Sequence, residues 1–262
     1  MRKASVSPPS RRQSALITVV ITLGSLWAWF AFTTLTILFS LLMIATALVT
    51  GWWDRDRRLV HVVGTWWGQL VLWTITAGRL TITGRHHIHP HKPYILVANH
   101  QSLFDIVVLF CLQRQFKWMA KAGLFQIPFL GWGMAAGRYI RLARGRHGSI
   151  RDTYAHAKQW LASGMSVFMF PEGTRSVTGE LGAFKNGAFK LAVDTGVPIV
   201  PIVVTGTRDL IRRGSWRFEP GRAVRVQIFP SIDPAQYGEA GVERFRDDVR
   251  QLILQTLTRP HP

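Results

Sequence analysis

From Ala15 to Thr50 the sequence carries no charged side chain, and this run restricts the possible folds more than any other feature. One membrane span uses roughly 20 apolar residues, so the run is too long for a single crossing and fits two helices of about 17 residues each. The turn between them is expected near Ala28 to Thr34. Arg2, Lys3, Arg11 and Arg12 precede the run, and Arg55, Arg57 and Arg58 follow it. Positive flanks on both sides place both ends in the cytoplasm, as a helical hairpin or a re-entrant pair. A cleaved signal peptide fits poorly, because its apolar core is far shorter. Trp27, Trp29, Trp52 and Trp53 suit membrane interfaces, although the first two fall where the turn is expected.

The net charge of +18 calls for an anionic partner or surface. Nucleic acid is one class. An anionic lipid leaflet with phosphorylated substrates is the other. The single cysteine, Cys111, excludes an intrachain disulfide and reads as a small buried residue in an apolar run.

Three segments follow from this patterning: a basic tail and membrane hairpin over residues 1–58, an interfacial or packing helix over 59–78, and a catalytic domain over 79–262. In the second, Leu59 to Ala77 is rich in Trp and carries only a thin polar face of His61, Thr65 and Gln69. Contact with the membrane surface and packing under the domain both remain open. Arg79 to Thr83 alternates as a strand ended by Gly84. His86, His87, His89 and His91 surround Pro90 without a cysteine or carboxylate cluster, which reads as a solvated loop rather than a metal site.

The domain is organised around Tyr94-Ile-Leu-Val-Ala-Asn-His-Gln-Ser-Leu-Phe-Asp105. Tyr94 to Ala98 follows Pro93 and is too short and apolar for a helix, so it reads as a buried strand. His100 and Asp105 cannot share a helical face, because five residues turn about 500°. With His100 in the turn and Asp105 in the first helical turn, the carboxylate reaches back to Nδ1 and leaves Nε2 to take a proton from a hydroxyl. The same residues allow a second reading, a capping box in which Asp105 folds back on the Ser102 amide.

A second block, Phe170-Pro-Glu-Gly-Thr-Arg-Ser176, lies after the strand-like Ser166 to Phe170, where open α/β sheets place ligands. Glu172 suits an acceptor hydroxyl or a neighbouring arginine, Gly173 permits close backbone approach, and Arg175 suits phosphate. Two further blocks are Tyr139-Ile-Arg-Leu-Ala-Arg-Gly145 and Val197-Pro-Ile-Val-Pro-Ile-Val-Val204. Taken together and in this order, the four blocks resemble the glycerolipid acyltransferases typified by 1-acylglycerol-3-phosphate acyltransferase.

The resemblance implies an α/β fold with a mixed, mostly buried sheet flanked by helices, and transfer of an acyl group from a thioester to a lipid hydroxyl. His100 and Asp105 are then the candidate catalytic residues. Glu172, Gly173, Thr174 and Arg175 are substrate-binding. A phosphate ligand is expected at Arg144, with Arg141 in reserve, and Lys121 lies near the substrate phosphate. Val197, Pro198, Ile199 and Pro201 are expected to wall the acyl site, and two prolines in that strand imply an edge or a bulge. No nucleophilic Ser or Cys sits in a motif beside His100, so no covalent acyl-enzyme is expected. Neither metal nor cofactor is required. Acyl-CoA or acyl-carrier protein serves as co-substrate, and lysophosphatidic acid is the acceptor.

Ala183 to Val193 and Val242 to Leu257 read as amphipathic helices, and Ala223 to Phe229 as a last strand. Arg208, Arg212, Arg213, Arg217 and Arg222 add a basic stretch without a nucleic-acid recognition pattern. Anionic phospholipid, or the acidic acyl donor, is therefore expected as its partner and nucleic acid is not. Another lysolipid acceptor, or a basic membrane protein without enzyme activity, are the rival readings.

Overall fold

The computed structural model describes residues 10–76, 79–142, 147–176, 178–211, 214–219 and 222–259, with backbone alone at residues 11 and 147–149. Seven strands form one mixed sheet: β1 (Leu80–Thr83), β2 (Ile95–Ala98), β3 (Phe116–Lys121), β4 (Ile140–Leu142), β5 (Ser166–Met169), β6 (Ile199–Thr205) and β7 (Val224–Ile228). Their order is β1-β7-β6-β2-β5-β3-β4, and only the β6–β7 pair is antiparallel. Strands β2 and β5 are buried at every position, which is why each reads as a continuous apolar run rather than an alternation.

The two faces of the sheet carry separate cores. Leu96 and Ala98 face a layer made by α1 (Arg11–Thr50), α2 (Arg58–Thr76) and α3 (Phe104–Phe110), whereas Ile95 and Val97 face α5 (His147–Ala162), α6 (Gly187–Thr195) and α8 (Val242–Thr258). The expected helices at residues 183–193 and 242–257 are the last two of these. Short α4 (Leu130–Ala136) and α7 (Thr207–Leu210) complete the set of described α-helices.

The turn expected at Ala28 to Thr34 does not occur: α1 is one unbroken helix of 40 residues, about 60 Å long. No proline or glycine lies between residues 28 and 34 to break it. Tertiary contacts hold that stretch instead. Ala28 and Ala31 are buried, Phe32 packs on Trp67 and Phe104, and Trp29 donates its indole N–H to the Trp216 carbonyl at 2.7 Å. Trp29 also stands edge-on to Phe218, so its place in the core explains what an interfacial role did not. The reversal falls at residues 51–57, where Asp54 caps α2 by accepting the amides of Arg58 and Leu59 at 2.8 and 2.9 Å.

The helix pair presents apolar surface outward along its whole length. Leu16, Leu23, Phe30, Leu41 and Leu48 are exposed on α1, as are Leu59, Trp66, Leu70 and Trp73 on α2. The opposite face of α2 packs on α3, which is the packing expected of this segment. There, added β-carbons at Gly64 and Gly68 would lie 2.9 and 2.7 Å from the Phe110 side chain, so glycine sets the distance between the helices.

Candidate active site

His100 leaves the carboxyl end of β2, and Asp105 opens α3 one residue inside its start. His100 Nδ1 lies 2.9 Å from Asp105 Oδ2. The buried carboxylate accepts, so Nδ1 carries the proton and the Nε2 lone pair is left for a proton. Among the described residues Nε2 makes no hydrogen bond. The same Oδ2 accepts the amides of Gln101 and Ser102 at 2.7 and 2.8 Å. The capping turn and the His–Asp contact are therefore one structure: the carboxylate that closes the turn also orients the imidazole. The ring stacks on Phe170 at 3.9 Å and 14°.

The segment after β5 clamps the backbone of His100 from both sides. Glu172 Oε1 accepts the His100 amide at 2.7 Å, and the Ser176 amide donates to the His100 carbonyl at 2.8 Å. Glu172 Oε2 accepts the Gly182 amide at 2.9 Å, so both its oxygens hold main chain. Burial raises its pKa, against the two amides and the nearby His100, which lower it. Gly173 adopts φ +69, a left-handed conformation that favours glycine, and this turn exposes Thr174 and Arg175 beside His100.

A cavity of about 290 Å³ begins at this cluster. His100, Gly173, Thr174, Arg175 and Lys121 line its polar part. Its remaining walls come from α1 (Phe32, Phe39, Met43), α2 (Gly64, Trp67), α3 (Ile106, Val107, Phe110), β3 (Trp118) and α4 (Leu130, Met134), with Tyr139 also lining it. It is thus an apolar recess opening on an imidazole and two cations.

The other expected site residues fall elsewhere. Val197, Pro198, Ile199 and Pro201 do not line the cavity: Val197 and Ile199 pack in the core on the opposite face of the sheet, against the layer that includes Phe189 and Phe245. The strand β6 that carries Ile199 and Pro201 is central rather than an edge. Its ladder to β7 is interrupted at Pro201, where the partner bonds Ile199–Ile232 and Ile202–Ile228 enclose one more residue on the β7 side. This irregularity accommodates the missing amide. Arg141 lies outside the cavity lining, its guanidinium 4.7 Å from the Phe125 ring. Arg144 lies outside the described residues.

Two further residues complete the site. Asn99 is fully buried and exchanges two 2.9 Å hydrogen bonds with the backbone of Val204. Thr207 Oγ1 donates to Asp105 Oδ1 at 2.5 Å. Thr207 carries no local signal, because its partner lies 102 positions earlier.

Residues 79–205 match the model of the Acyltransferase family. A 1-acyl-sn-glycerol-3-phosphate acyltransferase of Chlamydomonas reinhardtii is 35% identical over 223 residues, covering 84% of this chain and 65% of the relative. One of Saccharomyces cerevisiae is 37% identical over 173 residues, 63% of this chain and 56% of the relative. The chain thus spans somewhat under two thirds of these relatives' length. The crystal structure of the acyltransferase PlsC from Thermotoga maritima superposes with a TM-score of 0.76 at 26% identity, covering 94% of this chain and 99% of that one. On these likenesses residues 79–205 carry an Acyltransferase domain, and the chain is similar over most of its length to 1-acyl-sn-glycerol-3-phosphate acyltransferases.

Proposed function

We propose that the protein moves a fatty acyl group from an acyl thioester, acyl-CoA or acyl-carrier protein, to the free hydroxyl of 1-acylglycerol 3-phosphate, forming phosphatidic acid. The observation that carries this reading is the junction of three chemistries: a buried carboxylate–imidazole pair, two cations and a deep apolar recess. The similar 1-acyl-sn-glycerol-3-phosphate acyltransferases of Chlamydomonas reinhardtii and Saccharomyces cerevisiae support the same acceptor.

In this reading His100 Nε2 takes the proton of the acceptor hydroxyl as its oxygen attacks the thioester carbonyl carbon. The tetrahedral intermediate collapses with cleavage of the carbon–sulfur bond, and the departing sulfur receives the proton from the imidazolium. Ester and thiol are the products, without an acyl-enzyme. A main-chain amide near the motif is the proposed donor to the carbonyl oxygen. Arg175 and Lys121 hold the acceptor's phosphate, and Arg144 joins them, with Arg141 in reserve. The apolar cavity takes acyl chain. Glu172 acts through the backbone of His100.

The reaction takes place at the cytoplasmic face of the inner membrane. Residues Ser25 to Ala47 of α1 are fastened to the domain, leaving residues 11–24, about 21 Å of helix, beyond it. That length is short of a hydrocarbon core of about 30 Å, which favours a helix pair lying in one leaflet over a full crossing. Anionic phospholipid is the matching surface for the chain's basic character. Purified protein given a labelled acyl donor and a panel of acceptors tests the reading. Label is expected in phosphatidic acid when 1-acylglycerol 3-phosphate is supplied. Preference for glycerol 3-phosphate, or for a lysolipid lacking a phosphate monoester, would overturn the acceptor assignment.

A further inference from the structure

Asp105 is fully buried, and its two oxygens are held from opposite parts of the chain. Oδ2 faces three local donors: His100 Nδ1–H and the amides of Gln101 and Ser102. Oδ1 accepts the hydroxyl of Thr207, also fully buried, and among the described residues it accepts nothing else.

Two features deliver that hydroxyl. Asn99, immediately before His100, clamps the end of β6 to the end of β2 through both backbone groups of Val204. Gly206 then turns the chain with φ +86, in a place where a β-carbon would lie 2.1 Å from the Ala223 carbonyl oxygen. Thr207 therefore reaches the carboxylate through a turn that tolerates only glycine.

The consequence concerns orientation. A carboxylate rotates softly about its last side-chain torsion. Rotation about that torsion swings Oδ2 off its three donors, which oppose it from one side of the carboxylate. A donor on Oδ1 holds the other side, and the two together set the direction from which Oδ2 meets Nδ1. We propose that Thr207 is a positioning residue for acyl transfer, holding the Asp105 carboxylate in the plane that aims His100 Nε2 at the acceptor hydroxyl. This rests on the reading of His100 as general base.

Thr207→Val removes the hydroxyl at nearly constant shape, and Thr207→Ser keeps it. The experiment measures kcat, the KM of each substrate and the melting temperature for both variants, in wild-type and Asp105→Ala backgrounds. Thr207→Val is expected to lower kcat by about 10- to 100-fold, the scale of a lost hydrogen bond to a charged group. Both KM values should hold, Thr207→Ser should restore turnover, and Thr207→Val should add no further loss once Asp105 is alanine. Wild-type turnover in Thr207→Val overturns the proposal, as does an equal loss in both backgrounds or a serine variant as slow as the valine one. If the valine variant fails to fold, Thr207→Cys replaces it, a serine-shaped side chain that is a poor donor, with the same expectations against Thr207→Ser. An active His100→Ala enzyme would remove the general-base reading itself. An inactive His100→Ala enzyme beside a fast Thr207→Val enzyme would remove the Thr207 assignment alone.

Discussion

At the scale of single residues, His100 has little freedom. Phe170 stacks on its ring, Asp105 takes its Nδ1 proton, and the segment carrying Arg175 holds its backbone at both amide and carbonyl. Arg175 is therefore at a set distance from the base, as a phosphate ligand must be if it is to place one particular hydroxyl. Arg175→Ala is expected to raise the acceptor KM by roughly 10- to 150-fold, from the loss of about 1.5–3 kcal/mol of charge-assisted bonding. The donor KM should stay near wild type. Kinetics with each substrate varied separately check this, and a rise confined to the donor would place Arg175 on the thioester carrier. The His–Asp pair was legible because five residues of local chain bring it together. Thr207 was not, since only the β2–β6 pairing brings it to Asp105.

At the scale of elements, one buried lysine ties the turn of the helix pair to the sheet. Lys117 of β3 is fully buried and donates to the Asp56 carbonyl in the α1–α2 turn at 2.6 Å and to the Gly137 carbonyl after α4 at 2.8 Å. Burial pushes its pKa down to about 7, with the Asp56 and Asp54 carboxylates opposing the shift. The unfolded chain then binds more protons between this value and the ordinary lysine range near 10.4, so this group makes stability rise with pH across that window. Lys117→Met is expected to flatten that rise relative to wild type, measured as melting temperature from pH 7 to 10. An unchanged pH slope would mean that Lys117 stays charged in the fold. The strands were readable from their short apolar runs. The unbroken α1 was not, because uncharged sequence alone does not distinguish two spans from one helix whose middle is held by Trp67, Phe104 and Phe218. The cavity walls were missed for a related reason: β6 has the right composition, but strand pairing turns Ile199 toward the other layer.

At the scale of the whole molecule, the exposed apolar stripes of α1 and α2 flank the cavity between these helices and the sheet, and they are the surface that the proposed membrane contact would cover. Both ends of α1 are then expected on one, cytoplasmic, side. Cysteines placed singly at positions 10 and 258 of a Cys111→Ser background should react with an impermeant reagent from the same face of the membrane, and labelling from opposite faces would exclude the one-sided arrangement. The acyl-transfer chemistry itself is tested most directly by following thiol release and phosphatidic acid formation together, for wild type and for folded His100→Ala. Wild type should yield the two products in equal amounts, and His100→Ala should be slower by about 100- to 10,000-fold with its melting temperature preserved. Turnover by His100→Ala close to that of wild type would contradict the general-base role on which the mechanism stands.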